Sequence, residues 1–81
     1  MLENMRQLKK KVGLKECQKA VENNRVIKAF VARDAEEKVM KSFIELCSKN
    51  MVEIEYVDTM ENLGNACGID VGASTVVILK D

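Results

Sequence analysis

The residues best suited to binding chemistry lie in the segment Gly13–Ala20 of this 81-residue chain. Gly13 precedes a predicted helix, and the free N–H groups and positive dipole at a helix start attract phosphate oxygens or base acceptors. Lys15 and Lys19, one helical turn apart, add positive charge beside that start. Glu16 lies among these lysines, where a carboxylate is useful if it accepts hydrogen bonds from the edge of a base. The segment therefore predicts a site for phosphate or nucleic acid.

A second stretch that suits binding is the segment Asn62–Ser74, which holds three of the four glycines. Gly68 and Gly72 permit a positive φ or the close approach of another backbone. Ile69 and Val71 place two aliphatic side chains between them. A helix end followed by a turn explains this spacing. A recognition loop, whose exposed aliphatic side chains lie against a flat group, explains it as well, and the spacing alone leaves both open.

Charge is distributed unevenly along the chain, although the formal net charge is zero. Residues 1–30 carry eight basic and three acidic residues, a net charge of +5, whereas residues 31–81 carry five and ten, a net charge of −5. This asymmetry favours a polyanion bound at the basic end, although a solvated basic helix face explains it equally well.

Residue types needed for catalysis or for metal ions are scarce. The chain has no His, the commonest general base and metal ligand. Cys17, Cys47 and Cys67 form no CxxC pair, so they are predicted to be small core residues in a reducing cytoplasm. No segment matches a phosphate-loop or dinucleotide fingerprint. The sequence therefore predicts no catalytic site, no cofactor and no metal.

The composition is typical of a soluble globular chain, with 47% hydrophobic and 32% charged residues. The length predicts a single domain over residues 1–81. No apolar run approaches the roughly 20 residues of a membrane helix, and no signal-peptide pattern opens the chain. We therefore expect a cytoplasmic protein without a membrane partner.

Hydrophobic spacing predicts the elements that position these segments. Leu2, Met5 and Leu8 indicate a short helix that leads into Lys9–Lys11. Asp34 is predicted to cap a later helix, with Glu37 completing a capping box. That helix is predicted to run to Lys49 and to bury Val39, Met40, Phe43, Ile44 and Cys47. Two further helices are predicted over Leu14–Glu22 and over Met60–Cys67, the second capped by Asp58 or Thr59. The predicted strands cover Val26–Ala32, Val52–Val57 and Thr75–Leu79.

The strand patterns predict a three-layer α/β fold. The first and last strands are almost wholly apolar and are expected in the sheet interior, paired with each other. The alternating strand over Val52–Val57 is expected at an edge, parallel to the first. The helix over Met60–Cys67 is too short to guarantee a parallel return, so the direction of the last strand stays open on these grounds.

Three segments resemble motifs of the kink-turn-binding ribosomal protein family. Gly13–Ala20 (GLKECQKA) resembles its G-x-N-E-x-x-K-A segment, and Leu63–Ile69 (LGNACGI) resembles its L-G-x-A-C-G-V. Phe30–Ala35 (FVARDA) is similar to its apolar strand followed by A-x-D-x. The resemblance covers most of the chain in the correct order, and the length looks most like the small stand-alone bacterial members, the YbxF-like proteins.

The resemblance implies an α/β/α sandwich with a small mixed sheet whose last strand is antiparallel to its neighbours. It implies a short strand near Lys10–Val12 beside that last strand. It also brings the start of the Gly13 helix, the Arg33–Ala35 turn and the Gly68–Ser74 loop to one end of the sheet.

The function implied by the resemblance is binding of structured RNA whose backbone bends sharply next to tandem sheared G·A pairs. Gly13 would lie against the backbone, and the charged residues after it would reach guanine edges and phosphates. Two departures stand out, because Lys15 replaces an Asn of archaeal members and Val71-Gly72 replaces a frequent Arg-Pro. The implied RNA-binding residues are Gly13, Leu14, Lys15, Glu16, Lys19, Arg33, Asp34, Ile69, Asp70, Val71, Gly72 and Ala73.

Partners follow from the same resemblance. The natural RNA could lie in the ribosome or in another structured RNA, the protein is expected to be a monomer, and no DNA partner is expected. The alternative hypothesis is a protein–protein adaptor on the same fold, with the acidic residues 31–81 as its contact surface.

Overall fold

Along the chain, the spacing of apolar residues changes between the period of a strand and the period of a helix, and the elements of the structure follow these changes. The computed structural model describes residues 6–80. In chain order its elements are β1 (Lys10–Val12), α1 (Leu14–Glu22), β2 (Val26–Ala32), α2 (Glu37–Lys49), β3 (Ile54–Val57), α3 (Met60–Cys67) and β4 (Thr75–Leu79).

The four strands form one mixed sheet in the order β1-β4-β2-β3. β2 and β3 are parallel, and the 13-residue α2 provides the crossover that a parallel pair needs. β4 runs antiparallel to both β1 and β2. The antiparallel last strand and the short strand over Lys10–Val12, which the family resemblance implies, are therefore confirmed.

Alternate residues of the interior strands face two separate cores. On β2, Ala29 and Val31 pack with the buried sides of α1 and α2, whereas Phe30 and Ala32 pack with α3. On β4, Val77 belongs to the first of these cores. The sheet therefore lies between a helix pair and a single helix, which confirms the predicted α/β/α sandwich.

The helix pair buries residues at helical spacing. Those of α1 are Cys17, Ala20 and Val21, and those of α2 are Met40, Phe43 and Cys47. Val39 was expected in this stripe but is 36% exposed. It lies about 100° around the helix from Met40, at the margin of the buried face and not at its centre.

The start of α2 differs from the prediction. α2 begins at Glu37, with Glu36 at the cap position and no side-chain hydrogen bond to the first turn. The prediction that Asp34 caps this helix is therefore wrong. The Ala35 N–H donates to the Ala32 carbonyl at 3.2 Å, so a turn follows β2 and separates Asp34 from the helix start.

The strand β3 forms one edge of the sheet, as its alternating pattern predicts. It begins at Ile54 instead of Val52.

Glu55 on this strand lies 2.9 Å from the Lys28 ammonium, and this hydrogen bond raises the pKa of Lys28. Charged side chains along an edge strand discourage pairing with another chain.

The helix predicted from Leu2, Met5 and Leu8 falls largely outside the described residues. Leu8 is described, and it packs against the core on the α3 side of the sheet.

Candidate nucleic-acid interface

Four chain segments meet where β1, β2 and β3 end and β4 begins, and we call this place the Gly13 end of the sheet. The Gly13 N–H donates to the Thr75 carbonyl at 3.0 Å, and the Ala32 N–H donates to the Ser74 carbonyl at 2.9 Å. The Arg33 N–H donates to the Val57 carbonyl at 2.8 Å. The start of α1 and the turn after β2 therefore lie at the same end of the sheet, on either side of the start of β4, as the resemblance implies.

The start of α1 is shaped by Gly13. Its φ of 97° and ψ of 150° suit glycine, while a Cβ placed there would meet nothing within 4 Å. The position therefore needs glycine for its backbone angles, and the same lack of cover leaves the backbone open to a ligand. No side chain caps the helix, so its first N–H groups remain available.

The polar face of α1 turns away from the core. Cys17 is fully buried, so its side of the helix faces the core. Lys15, Glu16 and Lys19 lie on the other side and are exposed. Leu14 is half-buried and packs against the core beneath α1 and α2. Its side chain therefore also supports the fold, and its role in RNA binding stays a prediction.

The segment after α3 begins as a helix C-cap. Gly68 has a φ of 81° in the left-handed region, and its N–H donates to the Asn65 carbonyl at 3.0 Å. The Ile69 N–H then donates to the Gly64 carbonyl at 3.1 Å, which closes the last turn of the helix. The helix-end interpretation of this glycine is therefore confirmed.

The rest of the segment returns along α3 in close contact with it. A Cβ on Gly64 would overlap the Val71 carbonyl, and a Cβ on Gly72 would lie 3.1 Å from the Met60 Cβ. The Ala73 N–H donates to the Met60 carbonyl at 3.0 Å. Gly64 and Gly72 thus permit two backbones to touch, and this contact holds residues 71–74 at the Gly13 end. Gly68 instead lies at the far end of α3.

The side chains of this loop differ in exposure. Val71 is 70% exposed, and Asp70 and Gly72 are exposed as well. Ile69 is half-buried against the core on the α3 side, so it is less exposed than the recognition-loop interpretation predicts. Ala73 is only 3% exposed, so its side chain is part of the core, and its role in RNA binding stays a prediction.

Asp34 has a structural partner that sequence reasoning missed. Its Oδ1 accepts a hydrogen bond from the Met60 N–H at 2.8 Å, across 26 residues. The Thr59 hydroxyl, at the cap position of α3, accepts from the Asn62 N–H at 3.0 Å, as predicted. Asp34 therefore supports the start of α3, where a negative charge is favourable, and ties it to the turn after β2.

Arg33 lies beside two residues that the sequence did not indicate. Its guanidinium carbon is 5.0 Å from the centre of the Tyr56 ring, and its Nε is 3.8 Å from the Asp58 carboxylate. Its side chain is 63% exposed. Only the alternation along β3 could have indicated that Tyr56 faces outward, and nothing in the pattern pairs it with Arg33.

The three cysteines are buried and free. Burial raises the pKa of Cys17 to about 12 and that of Cys47 to about 11, and it also raises the pKa of Cys67. The Cys17 thiol donates to the Lys11 carbonyl at 3.4 Å. These thiols are core groups in their neutral form, as the sequence predicts.

Thiol chemistry should reflect this burial. Native protein at pH 8 should react with a thiol reagent much more slowly than protein unfolded in guanidinium chloride, because the buried thiols are neutral and shielded. The unfolded thiols ionise near pH 9, whereas folded Cys17 ionises near pH 12, so the free energy of unfolding should fall as pH rises through this window. Cys17→Ala should be less stable at pH 7 yet lose less stability between pH 8 and 10. A native thiol that reacts as fast as free cysteine would contradict the packing.

A cleft of about 670 Å³ opens between α2 and Tyr56. Its wall includes Arg33 and Lys41 as well as Glu37 and Glu45, so charges of both signs surround it and favour no single ligand class.

Within residues 6–80, no helix has the length and apolar content needed to cross a membrane. The same part of the chain contains no group of three His, Cys, Asp or Glu side chains placed to hold a metal ion.

Known proteins resemble this chain in sequence. The sequence profile of the Ribosomal protein L7Ae/L30e/S12e/Gadd45 family matches residues 2–81. An RNA-binding protein of Caldanaerobacter subterraneus is 49% identical over 67 residues, which cover 83% of this chain and 82% of that protein. An RNA-binding protein of Halalkalibacterium halodurans is 44% identical over 69 residues, covering 85% and 84%. Large ribosomal subunit protein eL8 of Halobacterium salinarum is 33% identical over 70 residues, covering 85% and 58%.

A solved structure shares the fold. The 15.5kD RNA binding protein of Giardia lamblia superposes with a TM-score of 0.87 over 99% of this chain and 68% of that one, at 22% sequence identity. At that identity the likeness shows the arrangement of helices and strands alone.

Proposed function

Because the chain belongs to the Ribosomal protein L7Ae/L30e/S12e/Gadd45 family, we propose that it binds structured RNA at the Gly13 end of its sheet. The observation that carries the proposal is the exposed face of α1, where Lys15, Glu16 and Lys19 stand beside an uncapped helix start. Similar bacterial proteins bear the name RNA-binding protein, which supports the same function for this chain.

The RNA we propose is a kink-turn, in which a sharp backbone bend adjoins tandem sheared G·A pairs. Splayed and bent RNA is recognised through shape and a few base edges, which suits a short helix end with mixed charges. The open backbone of Gly13 lies against the RNA backbone. Lys15 and Lys19 bind phosphates and guanine acceptor atoms, while Glu16 accepts hydrogen bonds from a guanine amino group.

The loop after α3 supplies the second half of the interface. Val71 covers an unstacked nucleotide, and the half-buried Ile69 supports the loop from the core side. Asp70 and Gly72 contribute exposed backbone next to Val71, whereas the buried Ala73 contributes no side-chain contact. Asp34 acts through the start of α3.

The natural target belongs to ribosomal RNA or to another structured RNA. A large-subunit protein among the relatives supports association with the ribosome. We propose that a single-domain monomer, without a DNA partner, acts on this RNA in the cytoplasm.

The proposal is tested by titrating the protein with a kink-turn RNA and with the same RNA whose G·A pairs are replaced by Watson–Crick pairs. We expect saturable one-to-one binding to the first and binding at least tenfold weaker to the second. Equal binding to both RNAs would leave RNA binding in place but exclude kink-turn recognition. Absence of binding to either, with the fold intact by circular dichroism, would favour the adaptor hypothesis.

Val71→Asp should separate loop recognition from loop structure. The side chain is 70% exposed, so its replacement should leave the melting temperature nearly unchanged. Lost contact is worth about 1 kcal/mol, a factor of about five in Kd, and phosphate repulsion should add to it. Val71→Thr, which keeps the shape without the charge, should lose less affinity. A large drop in the melting temperature of Val71→Asp would show instead that the loop is core.

A further inference from the structure

We propose that the outer edge of β3 is a docking site for a partner protein, which adds an extended segment of alternating basic and apolar residues as a further strand of the sheet. Recognition of this kind combines backbone hydrogen bonds along an edge strand with pockets for alternate side chains. The site lies at the opposite edge of the sheet from β1. The inference goes beyond the proposed function and does not depend on RNA binding.

The backbone of β3 has groups available for pairing on its outer side. β3 stands last in the strand order, so within residues 6–80 no strand lies beyond it. The Ala29 N–H donates to the Glu53 carbonyl at 3.0 Å across the parallel pair of β2 and β3, so Glu53 turns its backbone toward β2. Backbone groups alternate in direction along a strand, so those of Ile54 and Tyr56 point away from β2. Their N–H and C=O groups are therefore placed to pair with a further strand.

Clefts lie beside β3 on both faces of the sheet. The cleft of about 670 Å³ lies on the α2 side, where Met40, Ile44 and Tyr56 supply apolar parts of its wall. A second cleft, of about 560 Å³, lies between β3 and α3, and its wall includes Asp58 and Asn65. Successive residues of an added strand point to opposite faces of the sheet, so each cleft has room for alternate side chains.

The α3 side of this edge carries negative charge. Glu55 and Glu53 lie 2.9 and 3.6 Å from the Lys28 ammonium, and their side chains are 40% and 77% exposed. Two carboxylates share one ammonium, so basic residues of an added strand find favourable partners on this side. The same carboxylates repel β3 of a second copy, which carries the same charges, so the partner is a different chain.

The α2 side of the edge favours apolar residues instead. Ile54 packs against the core on this side, and Tyr56 presents a ring that is 43% exposed. Residues of an added strand that face this side lie next to these two side chains, where β-branched residues pair well with an aromatic ring. The two faces together therefore select a segment in which basic and apolar residues alternate.

The experiment adds the peptide acetyl-Lys-Val-Lys-Val-Lys-Val-amide to ¹⁵N-labelled protein and follows the backbone amides by NMR. We expect the signals of Ile54 and Tyr56 to shift in a saturable way, and their N–H groups to exchange more slowly with solvent because they become hydrogen-bonded. The signals of Gly13 and Glu16 should keep their positions, since the peptide lies at another edge of the sheet.

Two control peptides separate strand addition from charge attraction. The peptide acetyl-Lys-Lys-Lys-Val-Val-Val-amide keeps the composition but lacks the alternation, and acetyl-Glu-Val-Glu-Val-Glu-Val-amide keeps the alternation but reverses the charge. Both should bind at least tenfold more weakly than the alternating basic peptide.

Protein variants test the backbone contact and the charge separately. Tyr56→Pro removes the outward N–H, whereas Tyr56→Ala removes the same ring and keeps the N–H, so Tyr56→Pro should bind the peptide at least fivefold more weakly than Tyr56→Ala. Glu53→Lys should also weaken peptide binding at least fivefold, and Glu22→Lys, at the end of α1, should stay within twofold of the unmodified protein. The Glu53 side chain is 77% exposed, so Glu53→Lys should melt like the unmodified protein and keeps the test decisive even if Tyr56→Pro does not fold.

Strand addition is refuted if the two Lys-Val peptides bind equally, or if the Ile54 and Tyr56 signals do not change. A titration in the presence of kink-turn RNA should give the same peptide affinity within twofold, and competition would place the peptide at the Gly13 end and refute the β3 site. The peptide titration itself needs no RNA. Failure of RNA binding would therefore leave this inference in place, and failure of peptide binding would leave the proposed function in place.

Discussion

Gly64→Ala is expected to lower both the stability of the protein and its affinity for RNA. The added Cβ would overlap the carbonyl of Val71 and would lie 3.2 Å from the Cα of Gly72. Both neighbours are backbone atoms, so relief requires that the loop move away from α3. Overpacking of this kind costs about 1–3 kcal/mol, which in a chain of this size lowers the melting temperature by about 5–20 °C.

The effect on RNA binding should exceed the effect of lost stability alone. Residues 71–74 reach the Gly13 end because they lie against α3 and because the Ala73 N–H donates to the Met60 carbonyl. In the proposed complex Val71 covers a nucleotide, and a displaced loop would lose that contact, so we expect affinity to fall by at least tenfold at a temperature where the variant is folded. Melting curves and RNA titrations at 10 °C measure the two effects separately.

The neighbouring position offers a matched control. Asn65 is exposed on α3, and Asn65→Ala places the same alanine side chain at a position of this helix that faces solvent. This variant should keep its affinity and its melting temperature. If Gly64→Ala behaves in the same way, the loop has another position available and the close contact with α3 is not needed for binding.

Element bounds were predictable where one periodic pattern dominates. The predicted bounds of α1, β2, α3 and β4 agree with the structure, because each has a clear apolar stripe or an apolar run between turn residues. The cap of α3 was predicted as Asp58 or Thr59, and the structure selects Thr59, whose hydroxyl accepts from an N–H three residues later.

Contacts between distant segments were not predictable from spacing. The Asp34 carboxylate satisfies a local capping pattern in sequence but binds the Met60 N–H, 26 residues away. The direction of β4 likewise came from the family resemblance, because a helix of eight residues is compatible with either direction. Only three-dimensional structure shows which backbone N–H lies next to a given carboxylate.

In the candidate site, too, local spacing predicts some features but not the contacts between distant segments. The exposure of Lys15, Glu16 and Lys19 follows from the buried stripe of α1 on the opposite side. The contact of Arg33 with Tyr56 joins the ends of two strands, and no helical or strand period relates them. The loop after α3 combines both cases, since its glycine C-cap was predictable whereas the burial of Ala73 depends on how the chain enters β4.

Glu16→Ala is the second variant with a large expected effect, and its sign distinguishes two kinds of RNA binding. Removing a carboxylate from a basic surface strengthens a purely electrostatic complex, because repulsion of the phosphates is relieved. Removing a carboxylate that accepts hydrogen bonds from a guanine weakens the complex, because a good base contact is worth about 1–3 kcal/mol. We therefore expect the Kd of Glu16→Ala for kink-turn RNA to rise about 5- to 150-fold.

The control for this variant lies on the same helix. Glu22 is the last residue of α1 and is exposed, so Glu22→Ala removes the same charge at the helix end that faces away from Gly13. We expect the affinity of Glu22→Ala to be unchanged or slightly higher. Glu16→Gln should lose nearly as much affinity as Glu16→Ala, since its amide presents a single acceptor oxygen without charge. Tighter binding by Glu16→Ala, with native circular dichroism, would refute the base contact and leave α1 as a purely electrostatic surface.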